Sequence, residues 1–238
     1  MRRGDAFGQA LVDHLDGKAT HVVLERDDGT VGPEALAWYF NPLRKWRPAE
    51  RQALRFARGR CVDIGAGAGR VSLVLQERGR EVVAVDVSDG ARGACARRGV
   101  HDVRPLGFDD LEALGPFDTA VLFGGNVGLL ESAARARRRL RLLHRLTSGR
   151  GRVLLSGVVP EETDDPLHLA YHERNRLRGR LPGQLRLRVR YRDLTTGWID
   201  WLFVSPAELA ALAEPAGWSV SRVIPGADHV YAAVLDKR

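Results

Sequence analysis

The chain reads Val62-Asp63-Ile64-Gly65-Ala66-Gly67-Ala68-Gly69-Arg70 and later Val82-Val83-Ala84-Val85-Asp86, and these two stretches decide its fold. Their apolar runs predict two buried strands, and the glycines between them predict a tight loop that opens a helix. Continuous apolar runs are typical of parallel strands that are covered on both faces. In such a unit, an adenosine-containing ligand binds at the carboxyl ends of the strands. We therefore expect an α/β fold with a ligand site beside the glycines.

The glycines and the second acid have separate roles in that predicted site. Glycine at positions 65, 67 and 69 lets the backbone turn sharply and approach a ligand, because no Cβ stands in the way. The helix that follows directs its first N–H groups toward the same place. Asp86 ends the second strand, where its carboxylate can accept hydrogen bonds from both hydroxyls of a ribose.

The spacing of the glycines separates two classes of ligand. A dinucleotide fingerprint, Gly-x-Gly-x-x-Gly/Ala, counted from Gly65 requires a small residue at position 70, which is Arg70. Counted from Gly67, the corresponding residue is Ser72. The pattern is instead Asp-x-Gly-x-Gly-x-Gly, beginning at Asp63. A nicotinamide oxidoreductase is thus an alternative that Arg70 weakens.

This pattern resembles motif I of the class I S-adenosylmethionine (SAM)-dependent methyltransferases. The interval from Asp63 to Asp86 is also similar to the family's spacing between the motif I acid and the ribose-binding acid. The resemblance covers most of residues 59–238 and implies a methyltransferase with SAM as its cofactor. The cofactor-binding residues that it implies are Asp63, Gly65, Ala66, Gly67, Gly69, Arg70, Asp86, Val87, Asp109, Phe123 and Gly124.

Composition indicates a globular protein with an ordinary core. Of the 238 residues, 44% are hydrophobic and 28% are charged. No apolar run approaches the ~18 residues of a membrane span, and none follows the basic residues at the N-terminus. Cys61 and Cys95 are typical of buried thiols in a reduced compartment. We therefore expect a cytoplasmic protein with no membrane partner.

The net charge of +7 does not by itself predict a nucleic-acid ligand. Lys18, Lys45 and Lys237 are the only lysines among the 37 basic residues, and the arginines are spread along the chain. Such an excess of arginine is what a GC-rich genome produces through codon usage. We therefore do not expect nucleic acid as a partner.

From residue 59 onward, predicted strands and helices alternate as in a doubly wound parallel sheet. Strands are predicted at 60–65, 81–87, 103–108, 117–124, 151–159, 218–225 and 229–235, and helices near 69–78, 90–98 and 132–147. With the family resemblance, this order predicts a seven-stranded, mostly parallel Rossmann-like sheet with an antiparallel last strand. Residues 1–58 are predicted to form an N-terminal lid. Residues 59–238 are predicted to form the SAM-binding domain, with a substrate-facing insertion at 160–204.

Two of these strands end in candidate ligand contacts. In class I methyltransferases an acid at the end of the third strand commonly faces the adenine amino group, and the resemblance assigns this role to Asp109; a helix N-cap is the alternative. The fourth strand ends in Gly124-Gly125-Asn126-Val127-Gly128, where donor and acceptor are expected to meet. Asn126 either binds substrate or caps a helix. Asn126 is not followed by the Pro-Pro-aromatic sequence of enzymes that methylate nucleobase amines. This difference argues against a nucleobase amine as the acceptor.

The insertion begins with a polar helical segment that carries the candidate catalytic residues. His168 and His172 lie one turn apart, with Tyr171 beside them. A histidine with a pKa near ~6.5 can accept a proton at neutral pH, so these three residues are the candidates for proton transfer. Asn175 is a candidate for substrate binding. The two histidines could also bind a metal ion, but no third ligand is evident and we expect no metal.

A predicted β-hairpin follows in the insertion. From residue 184 to 192, one face carries Arg186, Arg188, Arg190 and Arg192, and apolar residues occupy the other. The hairpin resembles the one that small-molecule methyltransferases, such as the amino-sugar N-methyltransferases, place over the acceptor pocket. The arginine face could bind an anionic acceptor or a polyanion. The alternative is a solvated edge ribbon whose charges block further strand pairing.

The N-terminal segment contributes two aromatic candidates for substrate binding. Trp38 and Tyr39 either cover a ligand pocket or attach this segment to the core. Together, the patterns predict a SAM-dependent methyltransferase that acts on O or N of a small molecule, with secondary metabolism as a plausible setting. One alternative is an RNA or protein methyltransferase that uses the arginine face. Another is a non-catalytic SAM-binding regulatory protein.

Overall fold

The computed structural model describes residues 2–238. Its strands are β1 (Arg2–Arg3), β2 (His21–Arg26), β3 (Val31–Ala35), β4 (Cys61–Ile64), β5 (Val82–Val85), β6 (Val103–Arg104), β7 (Phe117–Leu122), β8 (Thr147–Val158), β9 (Gln184–Tyr191), β10 (Leu194–Thr195), β11 (Ile199–Leu202), β12 (Trp218–Pro225) and β13 (Val230–Lys237). Its α-helices are α1 (Ala6–Leu15), α2 (Pro48–Ala53), α3 (Arg70–Glu77), α4 (Asp89–Arg97), α5 (Ala133–Leu146), α6 (Pro166–Leu177) and α7 (Pro206–Ala213). Short 3₁₀ helices occupy Leu36–Tyr39, Leu43–Lys45, Leu54–Phe56, Phe108–Ala113, Asn126–Leu130, Pro160–Glu162 and Glu214–Ala216.

The main sheet has seven strands in the order β12-β13-β8-β7-β4-β5-β6. Strand β7 is parallel to β8 and β5 is parallel to β6, whereas β13 is antiparallel to both β8 and β12. Every residue of β4 and β5 is buried, which explains their continuous apolar sequences. The predicted α/β fold, with a seven-stranded, mostly parallel sheet and an antiparallel last strand, is confirmed.

A second sheet joins the N-terminal segment to the insertion. Its order is β1-β10-β9-β2-β3, and β11 also pairs with β9. Strand β2 is antiparallel to β9, with Leu24 opposite Val189. Because β9 has neighbours on both sides, the alternative of an edge ribbon is wrong. The predicted domain boundaries, with a lid at 1–58 and one domain at 59–238, stay a prediction.

The described residues divide into two compact units. The first unit comprises the residues up to Trp46, Asp63–Gly107 and Arg186–Ile199. The second comprises Arg47–Val62, Phe108–Leu185 and Asp200–Arg238. No helix described between residues 2 and 238 has both the length and the apolar character needed to cross a membrane.

The first unit has a buried apolar cluster, and the second buries a large aromatic side chain. In the first, side chains of α1 and α4, such as Leu11 and Ala94, pack in one cluster with Tyr191 of β9. In the second, Trp218 is fully buried and its indole N–H donates to the carbonyl of Leu140 at 2.9 Å. A buried polar atom that is hydrogen-bonded in this way costs little stability.

Five of the seven described α-helices begin at a short polar side chain that caps them, and α2 and α3 do not. Ser88 caps α4 by accepting from the N–H of Ala91 at 3.0 Å. Ser205 and Glu208 form a reciprocal capping box at the start of α7. Each such cap satisfies an N–H group that has no partner within the helix, and contributes about 1 kcal/mol.

Candidate functional site

The loop between β4 and α3 adopts the conformation that only glycine tolerates readily. Gly65, Gly67 and Gly69 have φ of 71°, 57° and 75°, all in the left-handed region. A Cβ at Gly69 would lie 2.6 Å from Cγ2 of Val100, so packing also excludes any other residue there. A Cβ at Gly67 would reach Cδ1 of Tyr39 at 3.4 Å. The three glycines therefore allow this backbone conformation, and the Tyr39 ring lies next to Gly67.

Asp86, immediately after β5, is oriented by two backbone N–H groups. The N–H of Gly67 donates to its Oδ2 and the N–H of Ser88 donates to its Oδ1, both at 2.9 Å. Burial raises the pKa of Asp86, and these two hydrogen bonds oppose that shift. A carboxylate oxygen can accept a second hydrogen bond, so the arrangement fits a ribose diol. Val87, the next residue, is 74% exposed and thus open to a ligand.

Asp63 supports the glycine loop from within the first unit. It is 2% exposed, and its Oδ2 accepts from the N–H and the hydroxyl of Ser72 at 3.1 and 2.7 Å. These bonds tie the end of β4 to the first turn of α3. Burial raises the pKa of Asp63 to about 6, although the Ser72 hydrogen bonds and Arg70 act in the opposite direction. A direct contact between Asp63 and SAM stays a prediction.

The raised pKa of Asp63 predicts that its ionisation makes the protein less stable as the pH rises from the ordinary value of 3.8 to about 6. In this window the folded state holds the Asp63 proton while the unfolded state has lost it, so the free energy of unfolding decreases with pH. Two pKa units correspond to about 3 kcal/mol. Asp63→Asn keeps an oxygen for Ser72 and cannot ionise. Urea titrations across this window should show the decrease in wild type relative to Asp63→Asn, and parallel pH profiles would contradict the assignment.

The other predicted cofactor residues of the first unit flank the loop. Ala66 is buried within it. Arg70 is the first residue of α3, and its guanidinium lies 4.4 Å from the centroid of the Trp46 ring. This distance is within the range of a cation–π contact, which holds the arginine beside the loop. The contribution of both residues to SAM binding stays a prediction.

Of the two aromatic candidates in the N-terminal segment, Tyr39 lies next to the glycine loop. Its hydroxyl donates to Oε1 of Glu34 at 3.3 Å, and burial raises the pKa of Tyr39 well above its ordinary value. Trp38 is 47% exposed. Tyr39 is therefore placed beside a predicted cofactor residue, and the binding of substrate by Tyr39 or Trp38 stays a prediction.

In the second unit, a buried glutamate that the sequence did not reveal holds the loop after β7. Glu50 of α2 is 2% exposed, and its Oε1 accepts from the N–H of Gly124 and the hydroxyl of Ser156, both at 2.8 Å. Phe123 is buried just before this loop. The sequence shows Glu50 only as one acid among residues 1–58, the segment predicted to form a lid. Contacts of Phe123 and Gly124 with SAM stay a prediction.

Aromatic side chains from the insertion pack on the same loop. A Cβ at Gly128 would lie 1.9 Å from the indole nitrogen of Trp201, and one at Gly125 would lie 3.7 Å from Cε1 of Phe203. Asn126 is the first residue of the 3₁₀ helix, and Gly125 occupies the N-cap position. The helix-cap interpretation of Asn126 is therefore wrong, and its role in substrate binding stays a prediction.

Asp109 is paired with a buried arginine of the second unit. Nη2 of Arg139 donates to its Oδ2 at 3.0 Å, and Nη1 of the same residue lies 2.6 Å from Oε1 of Glu131. The hydrogen bond from Arg139 lowers the pKa of Asp109. Asp109 lies in the 3₁₀ helix Phe108–Ala113. Its predicted contact with adenine stays a prediction.

Helix α6 carries the candidate catalytic residues of the second unit. His172 and Tyr171 are buried at 5% and 3% exposure, whereas His168 is half-buried with Nδ1 3.3 Å from the hydroxyl of Thr163. Their role in proton transfer stays a prediction. Between residues 2 and 238, no group of three or more His, Cys, Asp or Glu is placed to hold a metal ion.

Asn175, on the same helix, fixes the start of the hairpin. It is buried, and its Nδ2 donates to the carbonyls of Pro182 and Gln184 at 2.9 and 2.8 Å. These bonds account for its conformation without a substrate. Its predicted contact with substrate stays a prediction.

The arginine face of β9 is largely compensated by carboxylates of the first unit. Arg188 and Arg190 donate to the two oxygens of Glu25 at 2.6 and 3.2 Å. Arg192, just beyond the strand, lies 2.9 Å from Oδ2 of Asp13. The hydrogen bond from Arg188 lowers the pKa of Glu25, so this carboxylate is ionised at neutral pH.

Comparison with known proteins identifies the family of the chain. The chain belongs to the methyltransferase domain family, which it matches over residues 37–223. A SAM-dependent methyltransferase from Bacteroides fragilis, solved with S-adenosyl-L-homocysteine, has a TM-score of 0.84 at 25% identity. The similarity covers 98% of this chain and 94% of that one.

Two further comparisons are narrower. An uncharacterized methyltransferase from Staphylococcus carnosus is 42% identical over 65 residues, which are 27% of this chain and 31% of that protein. The CcbJ methyltransferase from Streptomyces caelestis shares the fold, with a TM-score of 0.57 at 18% identity, over 83% of this chain and 99% of its own. The predictions of a class I SAM-dependent methyltransferase, of an enzyme and of SAM as cofactor are confirmed.

Proposed function

We propose that the protein transfers the methyl group of SAM to an oxygen or nitrogen atom of a small molecule. The observation that carries this proposal is the packing of Trp201 and Phe203 on the loop after β7, within the second unit. Ligands of open α/β sheets bind beyond the carboxyl ends of the strands, which is where this loop lies. Aromatic walls with few polar groups are typical of small-molecule sites.

Different residues bind the cofactor and accept the proton in the proposed reaction. SAM supplies a methyl group that is already activated on a sulfonium. Asp86 accepts hydrogen bonds from the ribose, and the glycine loop lets the cofactor approach the backbone closely. Methyl transfer requires the acceptor atom to lie about 3–3.5 Å from the methyl carbon, with water excluded. An alcohol or ammonium acceptor must also lose a proton, for which His172 and His168 are the proposed bases.

The arginine face does not favour RNA as the acceptor. Three of its four arginines lie within hydrogen-bonding or ion-pairing distance of Glu25 or Asp13. A polyanion would have to displace these carboxylates, which weakens the electrostatic gain that drives non-specific RNA binding. The proposed partner is therefore a small-molecule methyl acceptor, and a secondary-metabolic setting is part of the proposal.

A panel of small amines, phenols and alcohols, incubated with radiolabelled SAM, tests this function. We expect label transfer to at least one small molecule, and a 10²–10⁴-fold loss of kcat in His172→Gln if that residue is the general base, roughly the contribution of such a group. A structured RNA and a denatured protein mixture serve as competing acceptors. Methylation of RNA or protein alone would contradict the proposal.

A further inference from the structure

Asp5 joins the N-termini of two helices in the first unit. Its Oδ1 accepts from the N–H of Gly8 in α1, and its Oδ2 accepts from the N–H of Gly90 in α4, both at 2.9 Å. The hydroxyl of Ser88 lies 2.9 and 2.8 Å from the two carboxylate oxygens. One carboxylate thus caps two helices whose N-termini are far apart in the sequence.

Ser88 connects this cap to the ribose-binding acid. Its N–H donates to Oδ1 of Asp86 at 2.9 Å, while its hydroxyl faces Asp5. The carboxylate of Asp86 therefore takes its orientation from a residue that Asp5 holds in place.

The packing of the two helices leaves little room for independent movement. A Cβ at Gly8 would lie 2.2 Å from the hydroxyl oxygen of Ser88, and a Cβ at Gly90 would lie 2.3 Å from the carbonyl carbon of Gly8. Here the backbones of α1 and α4 are in direct contact. A displacement of α1 would consequently displace Ser88.

A second contact attaches the N-terminal segment to the cofactor loop. The guanidinium of Arg98 donates to the carbonyl of Ala68 in the glycine loop and to the carbonyls of Tyr39 and Phe40, the latter two at 3.4 and 3.5 Å. The N-terminal segment is thus linked to the glycine loop through Arg98, and it is hydrogen-bonded through Asp5 to Ser88, which orients Asp86.

We propose that Asp5 is a positioning residue for SAM binding, and that docking of α1 and binding of SAM stabilise each other through Ser88 and Asp86. The coupling is reciprocal: if a docked α1 favours SAM, SAM must favour a docked α1. The inference concerns the cofactor alone and does not depend on the identity of the acceptor.

Calorimetric titration of the full chain with SAM and with S-adenosylhomocysteine tests the inference. Asp5→Ala should weaken both ligands about tenfold, within the usual range of coupling between sites. Asp5→Asn should recover part of the affinity, since it keeps one oxygen for Gly8 or Gly90. In hydrogen exchange, SAM should slow the amides of Gly8 and Gly90 in wild type but not in Asp5→Ala.

Asp16→Ala is the matched control. Asp16 follows α1 and pairs with Arg97 of α4 at 2.7 Å, so it joins the same helices without contacting Ser88. Because this ion pair is largely exposed to solvent, it contributes little to the docking of α1, and its removal should leave the affinity for SAM unchanged. Titrations are made below the melting temperature of every variant, because a purely structural Asp5 would lower Tm and leave the dissociation constant unaltered. That result, or an equal loss of affinity in Asp16→Ala, would overturn the inference.

Discussion

Asp86→Ala is expected to weaken SAM binding by at least about 100-fold. Two hydrogen bonds from ribose hydroxyls to a charged acceptor contribute about 1.5–3 kcal/mol each, and the alanine variant loses both. Gly67 and Ser88 already fix the carboxylate through their N–H groups, so wild type does not have to order this side chain when the ligand binds. The loss should therefore appear in full as a loss of affinity.

A thermal-shift titration with SAM, S-adenosylhomocysteine, NAD and NADP measures this effect. Ligand at a hundredfold its dissociation constant should stabilise wild type by about 2.7 kcal/mol, and Asp86→Ala should show almost no shift. Asp89→Ala is the control, because Asp89 carries the same charge on the first residue of α4 but pairs with Arg92. Equal shifts in wild type and Asp86→Ala would remove the ribose assignment. Shifts with the nicotinamide ligands alone would refute the cofactor.

The part of the fold around β4, the glycine loop and β5 could be predicted because the sequence features that determine it are local. The apolar runs of β4 and β5 and the three left-handed glycines are set by neighbouring residues, so elements 60–65 and 81–87 were placed within a few residues of Cys61–Ile64 and Val82–Val85. The strand predicted at 103–108 is only Val103–Arg104, since Pro105 has no N–H to continue the ladder.

The pairing of distant segments was not predictable from the pattern of one sequence. Arg188 was recognised as part of an alternating strand, but nothing local indicated that Glu25 would lie opposite it, 163 residues away. Because the sequence shows no partner for these arginines, it leaves both an anionic ligand and a solvated edge ribbon open. The interior position of β9 follows from its pairing with β2, which depends on tertiary contacts.

Glu50 was missed for the same reason, and it carries the second large expected effect. Glu50→Ala should lower the free energy of unfolding by about 1–3 kcal/mol, because the buried hydroxyl of Ser156 and the N–H group of Gly124 lose their acceptor. Glu50→Gln should cost much less, since its amide keeps an oxygen where Oε1 now lies. Glu112→Ala, at an exposed glutamate that pairs with Arg145, should change stability by no more than about 0.5 kcal/mol.

Urea unfolding, together with hydrogen exchange at Gly124, distinguishes the stabilising effect of the hydrogen bonds that Glu50 accepts from that of its negative charge. Gly124 and Gly125 have φ of 76° and 80°, and a loop in this conformation has no regular ladder to satisfy its N–H groups. Burying a carboxylate lowers the stability of the folded state. We infer that the carboxylate at position 50 serves to fix the conformation of this loop. If so, the Gly124 amide should exchange slowly in wild type and Glu50→Gln and rapidly in Glu50→Ala. Equal destabilisation by Gln and Ala would instead assign the requirement to the negative charge itself.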